Sequence, residues 1–455
     1  MQSMDTGSFR VGANDEAYEQ LFVEALRDGF ISDGERERLD LAAKALGLDP
    51  ERAASLEAAL RTAMFPGTSR DTIPDIEGPA GFGDLGESDG HLSISVETTG
   101  RKRALSISFE PTDDDSQAET APRPRARETG RDAIDALHAR FDACRAAGNV
   151  DGQWCASAVL VRRTEATRTE RDFYLAHATA TSLRPKRALT REAWSLLFHA
   201  EEDRLTSEIF ALIAPSALLG RLAALRADRA LARLDESERQ DVTRSTVSAV
   251  RALAWAAATM GLQVPPIYVS PQIDVGLEVV LHLPPASRIG ARMLSGHGIG
   301  RLAFHSARHL TWFREEYFVC TLVPSVEHLR DLFVAALALG APELDLRADV
   351  RARASLIADA IAPVLEPAKH ARLGQLVSQF IGQGGRTDLQ AWARAASFTA
   401  ARAGLLLSGD FETACGAISE EPNSGDRVRD LEAFWSGDAA TDLRQRLGVA
   451  LPADT

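Results

Sequence analysis

The stretch Arg301-Leu-Ala-Phe-His-Ser-Ala-Arg-His-Leu-Thr-Trp312 decides how the C-terminal half of this chain is read. It lies within Ile299 to Phe318, a run expected to be helical. On a helix His305 and His309, four residues apart, share one face a turn apart, and two neutral imidazoles so placed can hold one metal ion. Ser306 stands where an HExxH motif carries its glutamate, and a serine hydroxyl is no general base at neutral pH. Upstream, Pro266–Ser270, Leu277–Leu283 and Arg288–Leu294 are expected as strands. Gly296-His-Gly-Ile-Gly300 follows the last of these and opens the helix. An anion could sit at such a helix start, or the glycines serve a tight turn. The P-loop lysine and the Rossmann spacing are missing. Downstream, residues 388–417 are expected to be helical through Ala400-Ala-Arg-Ala-Gly-Leu-Leu-Leu407.

Three pieces in this order resemble the HtpX-type family of zinc metallopeptidases, relatives of the CAAX prenyl endopeptidases. Gly261-Leu-Gln-Val-Pro-Pro-Ile-Tyr-Val269 matches the family's helix end and first strand. Arg301–Trp312 stands where the family has its active-site helix, E-L-x-x-V-L-x-H-E-L-x-H. Ser397-Phe-Thr-Ala-Ala-Arg-Ala-Gly-Leu-Leu406 stands where E-x-x-A-D-R-A-G-L-L supplies the third zinc ligand. The resemblance spans roughly residues 240–420 and implies an α+β peptidase-like domain over residues 236–420, with a cleft for extended polypeptide. It also implies that the chemistry is lost. The first histidine is replaced by Arg308, the glutamate by His309, the second histidine by Trp312, the downstream glutamate by Ser397 and the aspartate by Ala401. A fixed guanidinium repels a divalent cation. The expectation is a catalytically inert domain without metal or other cofactor. The rival register keeps His305 and His309 as metal ligands of a working hydrolase, with Glu315, Glu316 or His328 as the third.

Outward from this region, residues 421–455 are expected as a C-terminal helical tail and 128–235 as a helical segment. In the latter, Ala133–Ala147, Trp154–Arg163 and Thr169–Ala180 resemble a degenerate tetratricopeptide pair, without a 34-residue period. Further helices are expected at 190–213 and about 237–260. Glu201-Glu202-Asp203 beside His199 is expected as a solvated helical face or turn, because adjacent helical residues point apart. Residues 66–127 are rich in glycine, proline, serine and acid, as in a flexible linker. Within them, Leu92-Ser-Ile-Ser-Val96 and Leu105-Ser-Ile-Ser-Phe109 alternate strictly, predicting a hairpin over 92–109. A lone hairpin is marginal in water, so its apolar face must cover another domain or a partner.

Residues 1–65 are expected to form a module of three short helices. Leu21, Phe22, Ala25 and Leu26 form one apolar stripe and Leu39, Ala42, Ala43 and Leu46 another. Between them, Ser32 and Glu35 make a capping box. The stretch resembles a TerB-like (tellurite-resistance) module and, more distantly, half an EF-hand. With Gly29 as the loop glycine, Glu24, Leu26, Asp28 and Glu35 take the ligand positions, and leucine cannot bind calcium. A docking role fits better.

Composition narrows the function classes. The net charge is −14, and arginine supplies most of the positive charge. Such a balance disfavours nucleic acid, although Arg101-Lys102-Arg103 is a local basic turn. No window reaches the ~20 apolar residues of a membrane span, so no integral membrane contact is expected. Met1–Val11 lacks a signal-peptide pattern. Four scattered cysteines, Cys144, Cys155, Cys320 and Cys415, suit buried thiols in a reducing compartment, and the cytoplasm is expected. The fold class expected is mainly α with a small β component, in several domains. The function expected is a non-catalytic interaction or scaffold protein with a protein or peptide partner. The alternatives are the metal-binding hydrolase and a structural assembly component.

Overall fold

A computed structural model describes residues 18, 39, 41–46, 48, 49, 53, 90–99, 102–111, 130–177 and 184–452. The chain divides into two units, Met1–Ile76 and Glu77–Thr455. In the first, Tyr18, Leu39, Ala43 and Ala53 are buried together. The calcium-loop positions 24, 26, 28 and 35 lie outside the described residues.

The second unit is mainly helical with a small β component. Its first described elements are the antiparallel strands β1 (Gly90–Thr99) and β2 (Lys102–Pro111), whose register pairs Leu92 with Phe109 and Ile94 with Ile107. The hairpin is two residues longer at each end than its alternation suggests. It is not alone, because β1 also pairs Ser93 and Ile94 with Asp388 and Thr387 of the short strand β6 (Thr387–Asp388).

Next come α1 (Gly130–Ala146), α2 (Val150–Arg162), α3 (Arg168–His177), the single turn α4 (Arg191–Trp194), α5 (Arg204–Ala227) and α6 (Ser248–Met260). The helix expected over 237–247 does not form. Glu236 accepts from the Tyr268 hydroxyl at 2.9 Å, Glu238 accepts from Ser270, and Arg239 bridges to Tyr268. These bonds lay the strip along the edge of a sheet instead of coiling it. That sheet has order β3-β5-β4, from β3 (Ile267–Ser270), β4 (Leu277–Val280) and β5 (Ala286–Gly290). β3 runs parallel to β5, and β4 antiparallel to it. The strand expected at 288–294 stops early because Gly290 is wedged against the preceding loop. A Cβ there would stand 2.4 Å from the Val275 carbonyl oxygen, and the chain turns into a short helical turn at Ala291–Met293.

The expected helix over 299–318 is two helices, α7 (Ile299–Thr311) and α8 (Glu315–Leu322). Between them Arg314 takes extended backbone angles while its guanidinium lies 4.0 Å over the Trp194 ring and bonds Glu316. Then follow α9 (Val326–Gly340), α10 (Ala348–Ile361), α11 (Pro367–Gly382), α12 (Leu389–Ser408), α13 (Phe411–Ser419), α14 (Gly425–Ser436) and α15 (Asp438–Leu447). The expected run 388–417 breaks at Gly409, whose φ of 65° stops α12 in the left-handed region. Asp410 then caps α13 by accepting from the Glu412 amide.

Two apolar cores share α12 as a common wall. Leu389, Trp392, Ala393, Ala396 and Ala400 face a core built on α5, α8, α9, α10 and α11. Ala401, Ala403, Leu405, Leu406 and Leu407 face a core built on α2, α6, α7, α13, α14 and α15. A helix apolar around its whole circumference is a central one. The segments separated in sequence at 235/236 and 420/421 therefore belong to one unit. Residue 151 illustrates this: Asp151 of α2 accepts a fork of hydrogen bonds from Arg444 of α15, 2.8 to 3.1 Å long, in a buried pair. α5 is long and apolar enough to cross a membrane by length and composition, and its first half is buried in the first core.

Candidate functional site at the α7–α12 crossing

Helices α7 and α12 cross antiparallel at backbone contact. A Cβ on Gly404 would stand 2.8 Å from the Phe304 ring and 3.0 Å from its carbonyl oxygen, and one turn away Gly300 faces the Ser408 carbonyl. Carrying this register two turns on sets Trp312 level with Ala396 and Ser397. The residues singled out on α7 and α12 are thus brought into one neighbourhood, with their side chains engaged in different ways.

Arg308 is tied by both terminal nitrogens to the Glu421 carboxylate, one bond measuring 3.0 Å, and Arg427 reaches the same carboxylate at 3.3 Å. Trp312 is buried in the first core and stands edge-on to Tyr317 at 6.4 Å between centroids. Ser397 and Ala401 are buried within α12.

His309 is buried, and its Nε2 is 2.9 Å from the Ser287 hydroxyl on β5. Burial alone lowers its pKa to about 3. His305 sits beside His297, with ring centroids 6.0 Å apart. Its pKa falls to about 4, first through burial and then through Arg308, Arg301 and His297. Both imidazoles are therefore neutral at physiological pH, as a metal ligand must be. Their surroundings differ, however, and the proposed third ligands do not join them. Glu315 is exposed, Glu316 is paired with Arg314 at 2.5 Å, and His328 lies 2.9 Å from the Ser325 hydroxyl. Among the described residues, no group of three His, Cys, Asp or Glu side chains is arranged to hold a metal ion.

A second polar cluster, at the junction of the two cores, was not expected from the sequence. The Glu202 carboxylate accepts from the Tyr317 hydroxyl at 2.6 Å, from the His199 amide at 3.3 Å and from the Thr399 hydroxyl. Asp430 accepts from Arg402 at 2.5 and 2.9 Å and lies 3.4 Å from His199 Nε2. Arg402 also donates to the Leu197 and Phe198 carbonyls. Of the acidic triplet, Glu201 is solvated and Asp203 caps α5. Glu202 corrects the solvated-face expectation: burial, helped by Glu316, raises its pKa against three donors that lower it. The cluster joins the α4–α5 turn to α8, α12 and α14. Its groups satisfy one another, so its evident chemistry is structural.

Comparison with known proteins finds no matching family model, no matching curated protein and no matching solved structure.

Proposed function

We propose that this chain is a non-catalytic, cytoplasmic interaction or scaffold protein, built on an inactive metallopeptidase-like domain and binding a protein or peptide partner. One observation carries the inactive part of this reading: the α7–α12 crossing is filled. Arg308 is consumed by Glu421, Trp312 belongs to an apolar core, and Ser397 and Ala401 are buried in α12. A catalytic zinc site needs three ligands and an open fourth position, and the side chains at this crossing supply neither. Partner binding as the residual function rests on fold analogy and on the TerB-like resemblance of the first residues.

Two measurements on the full-length protein test it. Incubation with casein, with and without added zinc, should yield no cleavage products. Reciprocal affinity capture should recover one defined protein at stoichiometric ratio from each direction. Zinc-dependent proteolysis that disappears in His309→Ala would overturn the inactive assignment, and absence of any reciprocal partner would overturn the scaffold assignment.

A further inference from the structure

Helices α5 and α10 form an antiparallel pair with one face left open. The pairing is fixed by two contacts: the Ser216 hydroxyl donates to the Val364 carbonyl at 3.4 Å, and a Cβ on Gly220 would stand 3.2 Å from Ala360 Cβ. Beside this seam the exposed residues of α5 recur at Pro215, Leu219 and Ala223, and those of α10 and the turn after it at Ala352, Leu356, Ala360 and Val364. Steps of four place each set on one helical face. Leu356 is 75% exposed, Val364 43% and Leu219 38%, three of the few large apolar side chains that the described residues leave in water. Removing these apolar side chains from water is favourable, most of all for Leu356, so their exposure on a two-helix face marks a surface made to be covered.

The charges on the face favour a particular cover. Arg226 lies one turn beyond Ala223, and Asp359 lies between Leu356 and Val364. Both are exposed, and neither forms an ion pair among the described residues. A lipid headgroup layer or nucleic acid would call for a net positive face. A face with one free cation and one free anion complements itself.

We propose that the α5–α10 face is the contact between two copies of this chain, closing a four-helix bundle about a two-fold axis parallel to the helices. In that arrangement α5 of one copy lies over α10 of the other, and every neighbouring pair of helices is antiparallel. Leu219 and Ala223 then stand level with Ala360 and Leu356 of the partner subunit, within about 1.5 Å along the axis. Arg226 falls about 7.5 Å along the axis from Asp359 of the partner subunit, within reach of an extended guanidinium. The face is about 18 Å long and about 20 Å wide, roughly 400 Å² per copy or about 800 Å² in total, below the ~1,200 Å² of stable specific interfaces and in the range of weak, transient ones. The dimer is accordingly weak, with a dissociation constant in the micromolar range. This inference stands independently of the proposed function.

Sedimentation velocity of the full-length protein from about 5 to about 200 µM spans that affinity range. The sedimentation coefficient should rise from the monomer to the dimer value. Leu219→Glu/Leu356→Glu should remain monomeric throughout with an unchanged far-ultraviolet spectrum and Tm, as expected for exposed positions. Arg226→Asp should weaken the dimer about tenfold, and Arg226→Asp/Asp359→Arg should restore it. A wild-type chain that stays monomeric, or a dimer indifferent to the double glutamate variant, would overturn the proposal. So would a monomer that co-sediments with phosphatidylserine vesicles through Leu219 and Leu356, since that outcome assigns the face to lipid.

Discussion

Phe304 of α7 lies against Gly404 of α12 with no room for a methyl group between them. Two effects of Gly404→Ala therefore oppose each other. Alanine gains about 1 kcal/mol of intrinsic helix preference over glycine. Overpacking a close crossing costs about 1–3 kcal/mol. The second should prevail, because the clash involves the backbone carbonyl as well as the flexible ring. Urea unfolding should show Gly404→Ala less stable than wild type. In a Phe304→Leu background the same substitution should cost measurably less, and strict additivity would refute the contact.

The buried pair Asp151–Arg444 carries a different kind of cost. The Arg444 guanidinium lies 5.0 Å from the Trp154 ring and 5.2 Å from the Trp435 ring, and Asp151 also accepts from the Leu451 amide. Removing one partner leaves a buried charge alone, which typically costs about 3–5 kcal/mol. Arg444→Met should fall in that range by denaturant unfolding. Asp151→Asn/Arg444→Met should recover a large part of the loss, since no uncompensated charge remains. A double variant as unstable as the sum of the singles would contradict this.

The two histidines of α7 set a pH dependence. Their folded pKa values, about 4 for His305 and about 3 for His309, lie below the unfolded value of 6.5. Their contribution is therefore fully present above pH 6.5. Below it the unfolded chain binds protons that the folded protein refuses, and stability is lost down to the folded pKa values. The slope is up to about 1.4 kcal/mol per pH unit for each imidazole. Glu202, with its raised pKa, works in the opposite direction as a single group. Urea midpoints should hold nearly level from pH 7.5 to about 6.5 and fall from there to pH 5, and His305→Gln/His309→Gln should flatten that fall. Equal slopes would remove the histidines from the account.

Tyr317→Phe deletes one of the three donors to the buried Glu202 carboxylate. The loss should be about 1–3 kcal/mol at pH 7.5. It should shrink at lower pH, because a protonated carboxyl depends less on that donor. A penalty independent of pH, followed by thermal unfolding across the same range, would show that Tyr317 acts through packing alone.

Where periodicity is local and strict, the sequence was readable. The alternation of Leu92–Val96 and Leu105–Phe109 placed the hairpin, and the helix starts at 299 and near 388 were found from the spacing around them. The breaks were harder. Gly409 ends a run whose apolar residues continue to Ile418, so its left-handed backbone was hidden by the composition around it. The strip at 237–247 has helical composition but is held by Tyr268 and Ser270, each 32 residues from its carboxylate partner. Glu202 looks solvated among its neighbours. Its burial is decided by Tyr317 and Thr399, 115 and 197 residues away. Only the tertiary fold brings such partners together. At the α7–α12 crossing the sequence singled out Arg308, Trp312 and Ser397 one by one, whereas Glu421, which engages Arg308, lies 113 residues off and left no local signal.

Metal content tests the central claim most directly. The full-length protein, equilibrated with excess zinc and then dialysed exhaustively, should retain far less than one equivalent by plasma mass spectrometry, because the α7–α12 crossing is already occupied by Arg308, Glu421 and Trp312. One retained zinc per chain, lost in His305→Ala/His309→Ala and unaffected by Arg308→Ala, would contradict the account.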